Sequence, residues 1–289
     1  MFDVFGLGAC ALDRLAPVDD YPPVDQKLLV DEVVDQCGGV IATALVALTR
    51  WGRSCALSAV LGDDPEGEIL RADLEREGVD TSGLLVRPGH RSQAAFITAE
   101  RETGRRNIFW WRPTGPAPRP DELPPLEARV FLGDGLYAEA SVAAAQRAGR
   151  VVVDAGSVRE GTLALLPHAD VVLASEKFAR DYAGADDPEG ACRKLREQGV
   201  KVAGVTLGER GYVAAWGDEI VRRPAYEVDA VDTTGCGDIF HAGYVHGMLS
   251  GWPPERCLDF GAWAAGQAAT ALGGRAGIPA PASFPPGFV

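Results

Sequence analysis

The stretch Asp232-Thr233-Thr234-Gly235-Cys236-Gly237-Asp238-Ile239-Phe240-His241-Ala242-Gly243 decides the reading of this chain. Two glycines two positions apart let the backbone turn tightly into a helix. Successive N–H groups then converge on one anion, and the helix dipole adds its partial positive charge there. Asp238 falls on the first turn of that helix. A carboxylate beside an anion hole repels the phosphate it faces, so it makes poor sense as a binding group. It makes good sense as a base that takes a proton from an attacking hydroxyl. The plain alternative is an ordinary helix start with turn glycines and a capping Asp, and only further motifs decide between the two.

The run resembles the C-terminal signature of the ribokinase-like (PfkB) sugar kinase family, usually Asp-Thr-x-Gly-Ala-Gly-Asp, in residue type and in its place late in the chain. Cys236 stands where the family usually has Ala, and the position contributes mainly its backbone N–H. Cys37-Gly38-Gly39-Val40-Ile41-Ala42-Thr43-Ala44 is similar to the family's N-terminal signature, in which a Gly-Gly pair enters a helix and lets sugar hydroxyls approach the backbone. The family commonly has Asn where Thr43 stands. A threonine forms one hydrogen bond where an amide grips two adjacent hydroxyls. Gly62-Asp63-Asp64-Pro65-Glu66-Gly67 and Gly78-Val79-Asp80-Thr81 resemble two further family pieces that read as scaffold.

Four more sites follow from the resemblance. Thr206-Leu207-Gly208-Glu209-Arg210-Gly211 is similar to the family's nucleotide-contacting Thr-x-Gly-x-x-Gly turn, which makes Thr206, Gly208 and Gly211 candidates for ATP binding together with Gly235 and Gly237. Ala174-Ser175-Glu176-Lys177-Phe178 occupies the place of the family's Asn-x-x-Glu, which helps to organise Mg²⁺ and phosphate. Ser175 replaces the Asn and Phe178 the Glu, so Glu176 is the one carboxylate left to serve the metal. Gly273-Gly274-Arg275-Ala276-Gly277-Ile278-Pro279 resembles the family's loop for a monovalent cation such as K⁺, implying a role for Gly274 with Asp232 and Thr234. The Ser-Glu variant and Gly-Gly-Arg-Ala-Gly-Ile-Pro are most similar to the branch holding ketohexokinase-like and sulfofructose kinases. In the second group a lysine before a lid strand contacts the sulfonate, and Lys27 is the matching candidate.

Along the chain, Val4 to Gly8 reads as a first buried strand that places Asp13 near its carboxyl end, where open α/β sheets bind ligands. Asp134 ends a later strand, Val130 to Leu132, and is a candidate second sugar contact. Val151–Val153, Val171–Leu173 and Val202–Thr206 are continuous apolar runs, as parallel strands covered on both faces require. Gly38 to Gly52 and Gly67 to Gly78 read as helices. Segments of about 14–36 and 93–111 have period-2 stretches, among them Lys27 to Val33, and a turn at Glu102-Thr103-Gly104-Arg105, which predicts a small sheet over the site mouth. Pro113 to Pro125 reads as a hinge loop, and the Pro-rich tail after Ile278 as surface-bound or frayed.

At 289 residues and 46% hydrophobic the chain can bury a large core. Its net charge of −13 argues against nucleic acid, whose binding depends on basic surface. It does not argue against ATP, whose phosphates can be held by backbone N–H groups and Mg²⁺. The 6 cysteines show no C-x-x-C pair and the 4 histidines no ligand cluster, so reduced thiols are expected rather than disulfides or zinc. No run approaches the roughly 18 apolar residues of a membrane span, and the N-terminus does not read as a signal peptide, so the expected location is the cytoplasm. Neither a P-loop motif nor a dinucleotide fingerprint is present.

These readings combine into one α/β kinase domain over residues 1–289, a ribokinase-like three-layer sandwich with a mostly parallel central sheet flanked by helices, plus a small β lid. The expected activity is transfer of the γ-phosphoryl of ATP to a primary hydroxyl of a sugar, ketose-like by the branch resemblance. Asp238 would be the base, Gly235, Cys236 and Gly237 the anion hole, and Asp13, Gly38, Gly39 and Thr43 the sugar contacts. A nucleoside kinase of the same fold stands as the alternative, with Trp110 and Trp111 as stacking candidates, and so does a non-catalytic sugar- or nucleotide-binding regulator. Ile108-Phe109-Trp110-Trp111 puts large apolar groups on both faces of a projecting strand, which predicts that the lid pairs with that of a second subunit.

Overall fold

The computed structural model describes residues 1–101, 106–125, 127–184 and 186–288. Its main sheet grows from β1 (Phe2–Leu7), a nearly continuous apolar strand paired in parallel with β4 (Cys55–Ser58) on one side and β9 (Ala128–Gly133) on the other. Between β1 and β4 the chain makes β2 (Ala11–Val18), β3 (Val34–Gly38) and helix α1 (Val40–Arg50). After β4 come β5 (Val60–Gly62), α2 (Pro65–Arg76), β6 (Leu85–Arg87), β7 (Gln93–Glu100) and β8 (Arg106–Trp111). From β9 onward strand and helix alternate: α3 (Ala138–Ala145), β10 (Arg150–Ala155), α4 (Glu160–Leu165), β11 (Val171–Ser175), α5 (Glu176–Ala183), α6 (Pro188–Glu197) and β12 (Val202–Thr206). A hairpin of β13 (Tyr212–Trp216) and β14 (Glu219–Arg223) precedes α7 (Cys236–Leu249) and α8 (Pro254–Ala268).

The main sheet runs in the order β14-β13-β12-β11-β10-β9-β1-β4, parallel except for the hairpin at one edge. Alternate residues of each strand feed two separate cores, because successive side chains leave opposite faces. Val130, Leu132, Val152, Val171, Leu173 and Val202 pack with α1, α2, α7 and α8. Phe131, Val151, Val153, Val172, Ala203 and Val205 pack with α3 to α6. This is the expected three-layer sandwich. Registers such as Ala155↔Ala174 and Ser175↔Thr206 bring the carboxyl ends of β10, β11 and β12 into one row. No helix among the described residues is long and apolar enough to cross a membrane.

A second sheet is ordered β3-β2-β7-β8. It begins at Ala11, three residues earlier than the sequence suggested, so Asp13 belongs to this sheet and not to the end of β1. Lys27 to Val33, which alternates like a strand, forms none; β3 starts only at Val34. Alternation specifies a strand where one face has something to bury against, and here neither does: Leu29 is 86% exposed and Val33 54%. The turn expected at 102–105 lies outside the described residues.

Of the two states expected for the Pro-rich tail, surface-bound or frayed, the first is seen. The Trp51 indole N–H donates to Pro279 O at 2.9 Å, and Phe284 and Phe288 pack edge-on and tilted against Phe260 at 4.9 and 5.2 Å between ring centroids. The two phenylalanines supply the apolar area that holds the tail down.

Candidate active site

The site is built where α7 starts. Gly235 occupies the N-cap position with φ 75°, a left-handed conformation that turns the chain into the helix, and a Cβ there would meet the Gly274 backbone at 2.7 Å. The turn is clamped from behind by Asp232, 5% exposed. One of its oxygens accepts the Thr234 N–H (2.9 Å) and hydroxyl (2.8 Å); the other accepts the Gly273 N–H at 2.8 Å. Its carboxylate therefore fastens the 273–277 loop to the glycine turn. The first full helical bond runs from Ile239 N–H to Gly235 O at 2.9 Å, and Cys236 N–H leans back toward Thr233 O at 3.4 Å. Gly237 and Asp238 are left with the N–H groups that point out of the helix end. Space above Gly237 is open.

Across from this turn lies Asp13 on β2. A Cβ on Gly38 would stand 2.3 Å from the Asp13 carboxylate, so the missing side chain is what seats that carboxylate. Gly39, φ 93°, brings the start of α1 against the backbone of Ala9 to Ala11. Thr43 is 1% exposed, deep in the first turns of α1 and farther from solvent than the glycines above it. Lys27 is exposed on the 19–33 connection.

Several expected ligands are already engaged. Asp134 is 5% exposed and accepts the Ala9 N–H and the Leu136 N–H, both at 2.9 Å, bracing two strand-end turns where a sugar contact was expected. Ser175 caps α5: its hydroxyl accepts the Phe178 N–H at 3.0 Å and donates to Gly156 O at 2.8 Å. Glu176 forms an ion pair with Arg210. Phe178, where the family has Glu, is fully buried and stacks on Tyr182. Among the described residues no group of three His, Cys, Asp or Glu is arranged to hold a metal ion. Thr206 ends β12 with its hydroxyl donating to Ala174 O at 3.3 Å, and the Gly208 to Gly211 turn follows it.

The electrostatics converge on Asp238. Burial raises its pKa well above the usual carboxylate range, and the negative charges of Asp154, Asp13 and Asp134 push it further, against the pull of Arg275. Asp13 is pushed up to about 6 by burial, opposed by Arg275. Asp134 is likewise pushed up to about 6 by burial, opposed by its two amide donors. Arg275, 8% exposed, is held by Asp73 of α2 and is the cation common to Asp13 and Asp238. Three members of this cluster, Asp154, His241 and Arg275, went unassigned in the sequence. His241 and Arg275 lie inside quoted motifs, whereas Asp154 follows Val151–Val153 with nothing local to mark it.

Comparison with known proteins settles the family. The profile of the pfkB family carbohydrate kinases matches residues 1–281. The chain is 30% identical over 265 residues to a fructokinase of Klebsiella pneumoniae, covering 83% of this chain and 84% of that one. It is 31% identical over 228 residues to fructokinase-1 of Oryza sativa subsp. japonica, covering 70% and 71%. This chain belongs to the PfkB family of carbohydrate kinases. The PfkB kinase is therefore an enzyme, a phosphotransferase acting on a sugar, and its ribokinase-like fold agrees with the ribokinase structure from Thermotoga maritima: TM-score 0.82, 24% identity, 97% of each chain covered.

The raised pKa of Asp13 makes the stability of this PfkB kinase depend on pH. A carboxyl whose folded-state pKa lies above its unfolded value costs no stability while protonated, and the cost grows as pH rises from about 4 to about 6. Asp13→Asn removes it. The variant should gain stability relative to wild type as pH is raised through that window, by on the order of 2 kcal/mol at pH 7. Urea unfolding at a series of pH values reads the difference; a gap that does not change with pH would contradict it.

Proposed function

We propose that the protein transfers the γ-phosphoryl of ATP to a primary hydroxyl of a ketose-like sugar. The observation that carries this reading is the placement of Asp238: a buried carboxylate whose proton affinity its surroundings raise, on the first turn of α7 beside Gly237, above whose Cα the space is open. The amides of Gly237 and Asp238 and the helix dipole would receive the transferred group. Asp238 would take the hydroxyl proton as oxygen attacks phosphorus, and Asp13, seated on Gly38, would accept bonds from other sugar hydroxyls. Phosphoryl transfer needs positioning and charge stabilisation more than covalent help, and rigid backbone donors supply both. The names of the fructokinase relatives support the ketose preference, fructose being a ketose.

The nucleotide would lie along the row of strand ends, with the Thr206 to Gly211 turn beside its phosphates. Glu176 and Ser175 are committed to Arg210 and the α5 cap, and no cage of three ligands stands among the described residues, so Mg²⁺ would arrive on the phosphates of ATP. A monovalent cation would suit the carbonyl-rich junction of Asp232, Thr234 and Gly274, which Asp232 holds together. Both ends of the small sheet, β3 and β8, are unpaired edges, and Phe109 and Trp110 of β8 are 64% and 52% exposed. A second copy of the chain is the cover we assign to this lid surface.

Replacing Asp238 by Asn should lower turnover on the order of 10²-fold or more, with fold and ATP binding retained. Assayed against fructose, aldoses and nucleosides, the wild type should favour the ketose. Near-normal turnover in the variant would remove the base assignment. For the lid, light scattering at micromolar concentration should give a dimer that Trp110→Glu dissociates. A fully active monomer would end that proposal.

A further inference from the structure

His241 lies one turn beyond Asp238 on the same face of α7 and is 4% exposed. Its Nδ1 is 2.6 Å from Gly237 O and 3.2 Å from Asp154 Oδ2, and its Nε2 is 2.9 Å from Leu173 O. The ring therefore ties the start of α7 to β10 and β11. Both nitrogens face oxygen acceptors. A neutral imidazole has one N–H to give, so serving both sides takes two, and the ring in that form carries a positive charge. Asp154, 8% exposed at the end of β10, supplies the balancing carboxylate. Such a partner offsets much of the cost of burying a carboxylate.

We propose that Asp154 and His241 form a positioning pair that orients Asp238 and sets how readily it holds a proton. The ring bond to Gly237 O fixes the peptide whose N–H belongs to Asp238. The Asp154 charge, balanced by the ring, adjusts the carboxylate beside it. The charged groups that face Asp238 are Asp154, Asp13, Asp134 and Arg275, and those that face Asp154 are His241, Arg159, Asp134 and Asp238 itself. Neither member of the pair touches substrate, and no bond is made or broken in them. The inference rests on the reading of Asp238 as the base.

Two variants pull Asp238 in opposite directions, which a merely structural role would not do. Asp154→Asn deletes a negative neighbour, so the titration midpoint of Asp238 should fall by about one pH unit. His241→Gln keeps an N–H donor and leaves Asp154 unbalanced, so the midpoint should rise. The full-length protein labelled with [γ-¹³C]aspartate reads this directly by NMR without substrate, the Asp238 signal being identified by its loss in Asp238→Asn. The acid limb of the kcat/KM profile should move the same way in each variant. Should His241→Gln fail to fold, Asp154→Asn alone still carries the test. An Asp238 midpoint unchanged in Asp154→Asn, or moved the same way in both variants, overturns the pair. Opposite shifts in an enzyme that remains active as Asp238→Asn would support the pair and remove the base role.

Discussion

Negative charge crowded into one buried cluster is the constraint on which this site depends. Asp238 sits among Asp13, Asp134 and Asp154 on the glycine turn that starts α7. Burial raises the proton affinity of all four, and Asp154, Asp13 and Asp134 raise that of Asp238 further. The arrangement costs stability, so it persists only because each member is fixed separately. Amides at 2.9 Å hold Asp134, His241 holds Asp154, the bare Cα of Gly38 seats Asp13, and the Arg275 guanidinium pulls against Asp13 and Asp238.

The fold exists to bring these groups together from distant parts of the chain. Asp13 comes from the second sheet, Asp134 and Asp154 from consecutive strand ends of the main sheet, and Asp238 from the start of α7. Asp232 makes the last join, accepting the Gly273 N–H at 2.8 Å and so fastening a loop 41 residues away to the glycine turn. Gly235 against Gly274 completes that contact at backbone distance. The Gly-rich stretches are thus where separate segments approach too closely for side chains.

Much of this was legible in sequence. Continuous apolar runs such as Val151–Val153 specify buried parallel strands because both their faces must leave water, and the glycines before Asp238 specify a tight entry into α7, where Gly235 takes the left-handed conformation. What escaped was partner choice. Asp134 and Ser175 have the residue types of ligands, yet their oxygens are committed to backbone amides that only the folded chain brings near. Lys27 to Val33 alternates like a strand, but alternation cannot report that no surface waits for it. Arg210, which occupies Glu176, sits 34 residues away, beyond any local pattern.

In the proposed reaction the glycine turn and Asp238 act on the same pair of reacting atoms. A crystal structure with a non-hydrolysable ATP analogue and fructose tests it most directly. The account predicts the terminal phosphate on the N–H groups of Gly237 and Asp238, with the primary hydroxyl oxygen about 3 Å from the Asp238 carboxylate and in line with phosphorus. A terminal phosphate bound elsewhere, or a sugar whose primary hydroxyl faces away from Asp238, would contradict it.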